Sequence, residues 1–410
     1  MNLSLGNMLG KRMAINPDGL SLDLAFAADK TLTARKGPTP TFTRASTATF
    51  VGSDGLIQSA SINNARFDHD PVTLASKGLL IEESRTNLTI QSQAFDNVAY
   101  SKAAIGVAAA TITANNDTAP DGTLTADLVN FSATTAIDQQ GQLFRNVLAA
   151  TAGQNITLSI YMRVPSGTAT VFIGLTELSP LTGQSVACNV TTTWQRFSIT
   201  RTVLATTTIF LQIGPVTSVF MGQPAVQPAA SVLLWGAQFE VGAFPTSYIP
   251  TTTVALTRSA DVCSITGGDF TSLYNATEGT ILVNASTPAS GDRTVLSTDD
   301  NTANEMIRLR TEGTNPFFKV TDGGSEVVAI DAGTVTANTT FKLAAAYEVN
   351  DFAASINGGA VVTDTSGAIP TVDRMRIGAG EGGNTMCSSI ASVRYFKKRL
   401  PDAKLQTLTT

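Results

Sequence analysis

Charge is what this sequence has least of. Asp, Glu, Lys and Arg make up 14% of its 410 residues, against about 25% in ordinary soluble domains. A surface so poor in charge is either covered by uncharged polar groups or buried between subunits. The abundance of Thr, Ala and Ser fits the first, and homo-oligomerisation fits the second. The remaining balance is acidic, −5 overall with a pI near 5.0, which excludes the basic face that nucleic-acid binding needs. No run approaches the ~18 apolar residues of a membrane-spanning helix, so membrane insertion is not expected. The three cysteines, Cys188, Cys263 and Cys387, are far apart and form no CxxC unit. That excludes a disulfide framework and a structural zinc site, and the thiols read as small buried apolar groups. Gly323-Gly324 and Gly382-Gly383 sit in turn contexts, so no phosphate cradle is present.

What the chain does have is alternation. From 154 to 164, Ile156, Leu158, Ile160, Met162 and Val164 alternate with Thr157, Ser159, Tyr161 and Arg163. A period of two puts one row in a core and the other towards solvent or a neighbour. Segments 171–175, 197–199, 209–213 and 233–241 read likewise, and no long amphipathic helix interrupts them. Residues 89–262 are therefore expected to form a two-sheet jelly-roll sandwich. A second sandwich over 263–410 is predicted from strands near 279–283, 306–310, 341–347, 352–356, 374–378 and 390–396. Asn357-Gly358-Gly359 supplies a hairpin turn, and a closing helical turn or two follows Pro401. The fold class is all-β: two tandem antiparallel β-sandwiches preceded by an extended N-terminal arm and connector over 1–88. In that arm Asn16-Pro17-Asp18-Gly19 marks a turn, Leu20 to Phe26 alternates, and Pro38-Thr39-Pro40 forces extended chain. Its apolar rows, at 20–26 and 79–81, are expected to pack on surfaces from elsewhere. Lys11 and Arg12 follow the mildly apolar start, the wrong order for a secretory signal, so assembly in a bacterial cytoplasm is expected.

Few residues invite chemistry. Asp68-His69-Asp70 sets two carboxylates around the only histidine, yet neighbours on extended chain point to opposite sides, which favours a structural turn. Asp292, Asp299, Asp300 and Glu305 cluster in sequence and suit an acidic solvated loop better than a carboxylate pair or a calcium site. Trp194 and Trp235 fall in or beside strands and read as core residues before sugar platforms. Tyr274, Phe317 and Asn301 are the loop positions open to a lectin role. No residue is singled out as catalytic, cofactor-binding or metal-ligating, no cofactor is expected, and the ligand-binding residues stay unassigned.

The most distinctive stretch runs from Arg44 to Leu88. Arg44-Ala45-Ser46 leads to an Asp54-Gly55 hairpin signal, Arg66-Phe67-Asp68-His69-Asp70-Pro71 makes a corner, and Gly78-Leu79-Leu80-Ile81-Glu82-Glu83-Ser84-Arg85-Thr86-Asn87 follows. Together with Thr193-Trp194-Gln195-Arg196-Phe197, the segment around Trp235 and the exit Thr257-Arg258-Ser259-Ala260-Asp261, it resembles the connector of bacteriophage and prophage tail-fibre, head-fibre and spike-type virion proteins. The resemblance implies a carbohydrate-binding-module-like sandwich over 89–262 and a concanavalin- or laminin-G-like one over 263–410. It further implies a homotrimer, attachment to other virion proteins through the N-terminal arm, and host-surface polysaccharide as a partner. Adhesion is then the expected role. A purely structural capsid or collar decoration protein and a polysaccharide-degrading enzyme remain as alternatives, and a free lectin is disfavoured by the N-terminus.

Overall fold

The strand Ser388–Phe396 is where the two ends of the chain meet. One side of it pairs with Glu278–Ser286. The other side takes two N-terminal strands end to end, Leu20–Leu24 against 393–396 and Ser76–Ile81 against 388–390. This computed structural model describes residues 18–286 and 291–410; the Asn16-Pro17 turn half and Lys11-Arg12 lie outside them. The strands just named belong to an eight-stranded antiparallel sheet. Facing it is a seven-stranded sheet, at whose edge Thr41–Thr43 pairs with Val262–Thr266. One core fills the space between, with Leu22, Leu24, Phe26, Leu79 and Ile81 packed beside Phe318, Phe341, Tyr347 and Tyr395.

From residue 18 onward, then, the expected free arm is part of the C-terminal sandwich. Its short strands cannot close a core of their own, but they complete the edges of sheets whose other strands come from beyond residue 261. The apolar rows expected to pack on surfaces from elsewhere are covered by the same chain: Leu22, Leu24, Leu79 and Ile81 are fully buried in the C-terminal core.

Between these parts sits the other sandwich, two five-stranded antiparallel sheets with a separate core running from Phe95 to Phe239. The chain enters it after Arg85–Asn87 and leaves it before Leu256–Arg258, and those two strands pair with each other. The middle sandwich is therefore an insertion hung on a two-stranded neck. Helices are short: Phe26–Asp29, Gly267–Leu273 and Asp402–Thr409, the last starting beside Pro401. Among the described residues no helix is long and apolar enough to cross a membrane.

Around the neck the distinctive motif residues meet in a buried ionic network. Arg44, Arg66 and Arg258 are each about 1% exposed or less. Arg44 pairs with Asp261 at 3.1 Å, and Arg66 pairs with both Asp261 and Glu82, the latter at 2.7 Å. Arg258 lies 3.4 Å from Glu82. Ser247, from the closing segment of the middle sandwich, donates its N–H and its hydroxyl to Glu82 at 2.7 and 2.6 Å. Desolvating five charged groups costs several kcal/mol each, so such a network contributes positional uniqueness more than net stability. Here it fixes how connector, exit strand and inserted sandwich sit against one another.

Candidate functional site

The strand Asn155–Arg163 has the expected inward row: Ile156, Leu158, Ile160 and Met162 are fully buried. Its opposite row divides in two. Thr157 and Ser159 are also buried, because the segment after Val241 folds over them; the Thr157 hydroxyl donates to Gly242 O at 2.7 Å. Tyr161 and Arg163, two and four residues on, face an open cleft instead. Tyr161 stands opposite Arg196 in the neighbouring strand Gln195–Thr202, and Trp194 precedes that strand.

Cations and rings alternate across this wall. The Arg163 guanidinium lies over the Trp194 ring at 5.3 Å, and Arg196 lies over Tyr161 at the same distance. Each piece is anchored. Arg163 pairs with Asp117 at 2.7 Å, and Trp194 donates its indole N–H to Thr118 O at 3.0 Å. Arg196 donates to Thr246 O at 2.7 Å and to Ser159 Oγ at 2.9 Å. Beneath them Trp235, 1% exposed, donates to Thr125 Oγ1 and packs edge-on to Tyr161 with ring centres 5.6 Å apart. Trp235 is thus the core residue that its strand position predicts. Trp194, read the same way from sequence, is only half-buried and lines the cleft.

The second wall comes from the connector: Val51, Asp54, Leu56, Ile57, Pro71 and Val72. It stands where it does because Ala48–Val51 and Ile57–Ala60 form the hairpin signalled by Asp54-Gly55, with Gly55 at φ +79°. Ile57 then donates its N–H to Pro120 O at 2.9 Å, tying hairpin to sandwich. Val72 is 78% and Leu56 39% exposed. The cleft measures about 730 Å³, within the size range of small-molecule sites, which favour such junctions between domains. An aromatic face, guanidinium donors and uncharged hydroxyls at Thr192 and Thr193 in one cleft suit a ligand with both apolar faces and many hydroxyls.

Asp68, His69 and Asp70 do not converge. Asp68 accepts the Val51 N–H at 2.8 Å, and burial pushes its carboxyl pKa up. His69 is 3% exposed, in a strand and not in an exposed turn, with Nδ1 3.2 Å from Val51 O. Asp70 caps the turn by accepting the Val72 and Thr73 N–H groups, which pull its pKa down. The acidic cluster also disperses. Asp299 is fully buried, against the solvated-loop expectation, because Arg376 from a neighbouring strand reaches it at 3.0 Å. Asp292 pairs with Arg310, Asp300 caps Thr302, and Glu305 accepts the Gly323 N–H. Among the described residues no group of three or more potential metal ligands occurs. Tyr274 stacks on Phe270 against the C-terminal core and is not a loop platform; Phe317 lies under Lys319, and Asn301 accepts bonds from Arg374 and Arg376. Cys188 and Cys263 are buried, and Cys387 is half-buried with its thiol pushed up to about 12 by burial. Sequence alone did not single out Tyr161, Arg163, Arg196 or the connector wall. The signal was the register of 161 opposite 196, which only strand pairing supplies.

No family model matches the chain, and no curated protein is similar to it. Solved structures are similar to parts of it. The Ruminococcus gnavus IT-sialidase CBM40 bound to alpha2,3 sialyllactose matches 33% of this chain and 83% of its own at 17% identity and TM-score 0.30. The binding domain of Botulinum neurotoxin DC in complex with rat synaptotagmin II covers 37% of this chain and 40% of its own, at 14% identity and TM-score 0.31. The enzymatically active domain of Bacteriophage CBA120 tailspike protein 4 covers 38% and 21%, at 11% identity and TM-score 0.28. Scores this low carry no argument about ligand or partner.

Proposed function

We propose that the protein is a fibre- or spike-type virion adhesin that binds host-surface glycan in the cleft between its connector and its middle sandwich. The observation that carries the glycan part is the half-buried Trp194, held by Thr118 and by Arg163 at the lip of a 730 Å³ cleft. A ring fixed in that way offers a flat apolar face to a sugar, while arginine and threonine donors beside it suit hydroxyls. The virion part rests on the connector motifs, whose residues make the buried network at the neck. Homotrimeric assembly on a particle built in a bacterial cytoplasm belongs to the same reading.

Binding is favoured over bond cleavage by the state of the carboxylates. Glycoside hydrolysis pairs two free carboxyl groups across the scissile bond. In the lining of this cleft Asp54 accepts from the Leu56 N–H and from Gln58. In the neighbouring cavity Glu82 is occupied by Arg66 and Ser247 on both oxygens, which leaves Asp68 there without a free carboxyl partner.

Trp194→Ala in the full chain tests the reading. Retention on an array of bacterial surface polysaccharides is expected to weaken about tenfold or more, the scale of one lost aromatic contact, with an unchanged circular-dichroism spectrum. Equal retention by the wild type and the variant would overturn the assignment of this cleft.

A further inference from the structure

We infer that the cleft is the outer half of a longer groove shaped for a neutral oligosaccharide chain, with Asp68 at its inner end; this rests on the glycan reading above. A second cavity of about 290 Å³ lies beside it, towards the junction where connector, middle sandwich and C-terminal sandwich meet. Val51, Ile57, Tyr161 and Arg196 line both cavities. Four shared residues make the two spaces neighbours across one wall, and a chain ligand lying over Tyr161 and Arg196 reaches from one to the other.

The two ends differ in chemistry as the two ends of such a ligand would use them. The outer end offers Trp194 and the apolar rim of Leu56 and Val72. Ser389, Lys77 and Asp68 line the inner one, a set that both donates to and accepts from hydroxyls. Among the described residues Asp68 accepts one hydrogen bond, from the Val51 N–H, although a carboxylate has room for about four. Its remaining acceptor sites are open to a ligand, and a hydroxyl is the partner that adds no charge. Set against Asp68 itself, a ligand carboxylate or phosphate would meet like charge. Glu82, behind it, already has its charge matched by Arg66 and Arg258. Lys77 is 41% exposed at its side chain and leans towards Asp70 at 3.7 Å, outside the buried network.

The test uses the full-length protein and fragments of one to six sugars, made by partial acid hydrolysis of a neutral bacterial O-polysaccharide that the protein retains. Calorimetric titration is expected to give affinity rising about tenfold or more from the monosaccharide to the tetrasaccharide. Asp68→Asn, which keeps an acceptor for Val51, is expected to weaken the tetrasaccharide about tenfold, as for one or two lost hydrogen bonds, and to leave the monosaccharide unchanged. Lys77→Ala, at an exposed position, serves as the second variant and is expected to shift the tetrasaccharide in the same direction. Equal affinity at every length, or a tetrasaccharide indifferent to both variants, overturns the groove while Trp194-dependent binding keeps the glycan reading. Failure to retain any polysaccharide overturns both.

Discussion

At the scale of single residues, Glu82 shows how context sets a charge. Burial alone would push its carboxyl pKa up, but Arg258, Arg66 and the two Ser247 donors outweigh burial and hold it near 2, below the usual 4.5. A carboxylate with a depressed folded pKa stabilises the fold above its unfolded pKa, and that contribution disappears as pH falls through the folded value. The window is therefore from about pH 4.5 down to about 2, and a shift of that size corresponds to about 3 kcal/mol. Asp68, shifted the other way by burial, relieves its own penalty on protonation and blunts the loss. Urea titrations across this window are expected to show wild-type stability falling. Glu82→Gln should start about 3–5 kcal/mol lower, with Arg258 left without its carboxylate and Arg66 with Asp261 alone, and vary less with pH. An identical acid profile in both proteins would remove Glu82 from this role.

At the scale of the element, the strand Ser76–Ile81 shows why a glycine sits mid-strand. Gly78 has φ +98°, and a Cβ placed there would lie 2.2 Å from Ile390 O in the neighbouring strand. Both the backbone conformation and the close approach require a residue without a side chain. Gly78→Ala is expected to cost about 2 kcal/mol or more, read as a lowered urea midpoint. A midpoint unchanged within error would mean that the strand shifts at no cost. The turns behave in the same local way: Asn357 and Gly358 take φ +48° and +73°, the left-handed pair that a tight hairpin needs.

For the whole molecule, the pairing of both chain ends changes what a truncation does. A chain beginning at Thr89 loses Leu20–Leu24, Thr41–Thr43, Phe67–His69 and Ser76–Ile81 from the two C-terminal sheets. It also loses Arg44 and Arg66 from the neck, which strands Asp261 in the interior. That protein is expected to lack a cooperatively folded C-terminal sandwich. Residues 89–255 alone should fold, because the middle core is closed by its own strands. Amide NMR spectra distinguish the two: dispersed peaks from the isolated middle sandwich, and collapsed ones from the C-terminal part of the truncated chain. Native mass measurement of the intact protein is expected to give three copies, and a stable monomer at micromolar concentration would overturn that.

What the sequence determined by itself is whatever depends on near neighbours. Alternation from 156 to 164 specified a strand and its inward row, Asp54-Gly55 and Asn357-Gly358 specified hairpins, and Pro401 marked the start of the closing helix Asp402–Thr409. These follow from side-chain period and from the φ values that Gly, Asn and Pro accept. Partner choice was not written locally. That Leu22 lies opposite Tyr395, that Arg376 finds Asp299, and that Tyr161 faces Arg196 all depend on which sheet edges remain unpaired once the rest has formed. The same dependence separated two tryptophans of similar sequence context. Trp235 was covered by Tyr161 and Tyr248 from other parts of the chain, while Trp194 was left at the lip of a cleft whose far wall is a hairpin about 140 residues earlier. Burial is a property of the assembled surfaces, so only the tertiary structure decided which ring is free to meet a ligand.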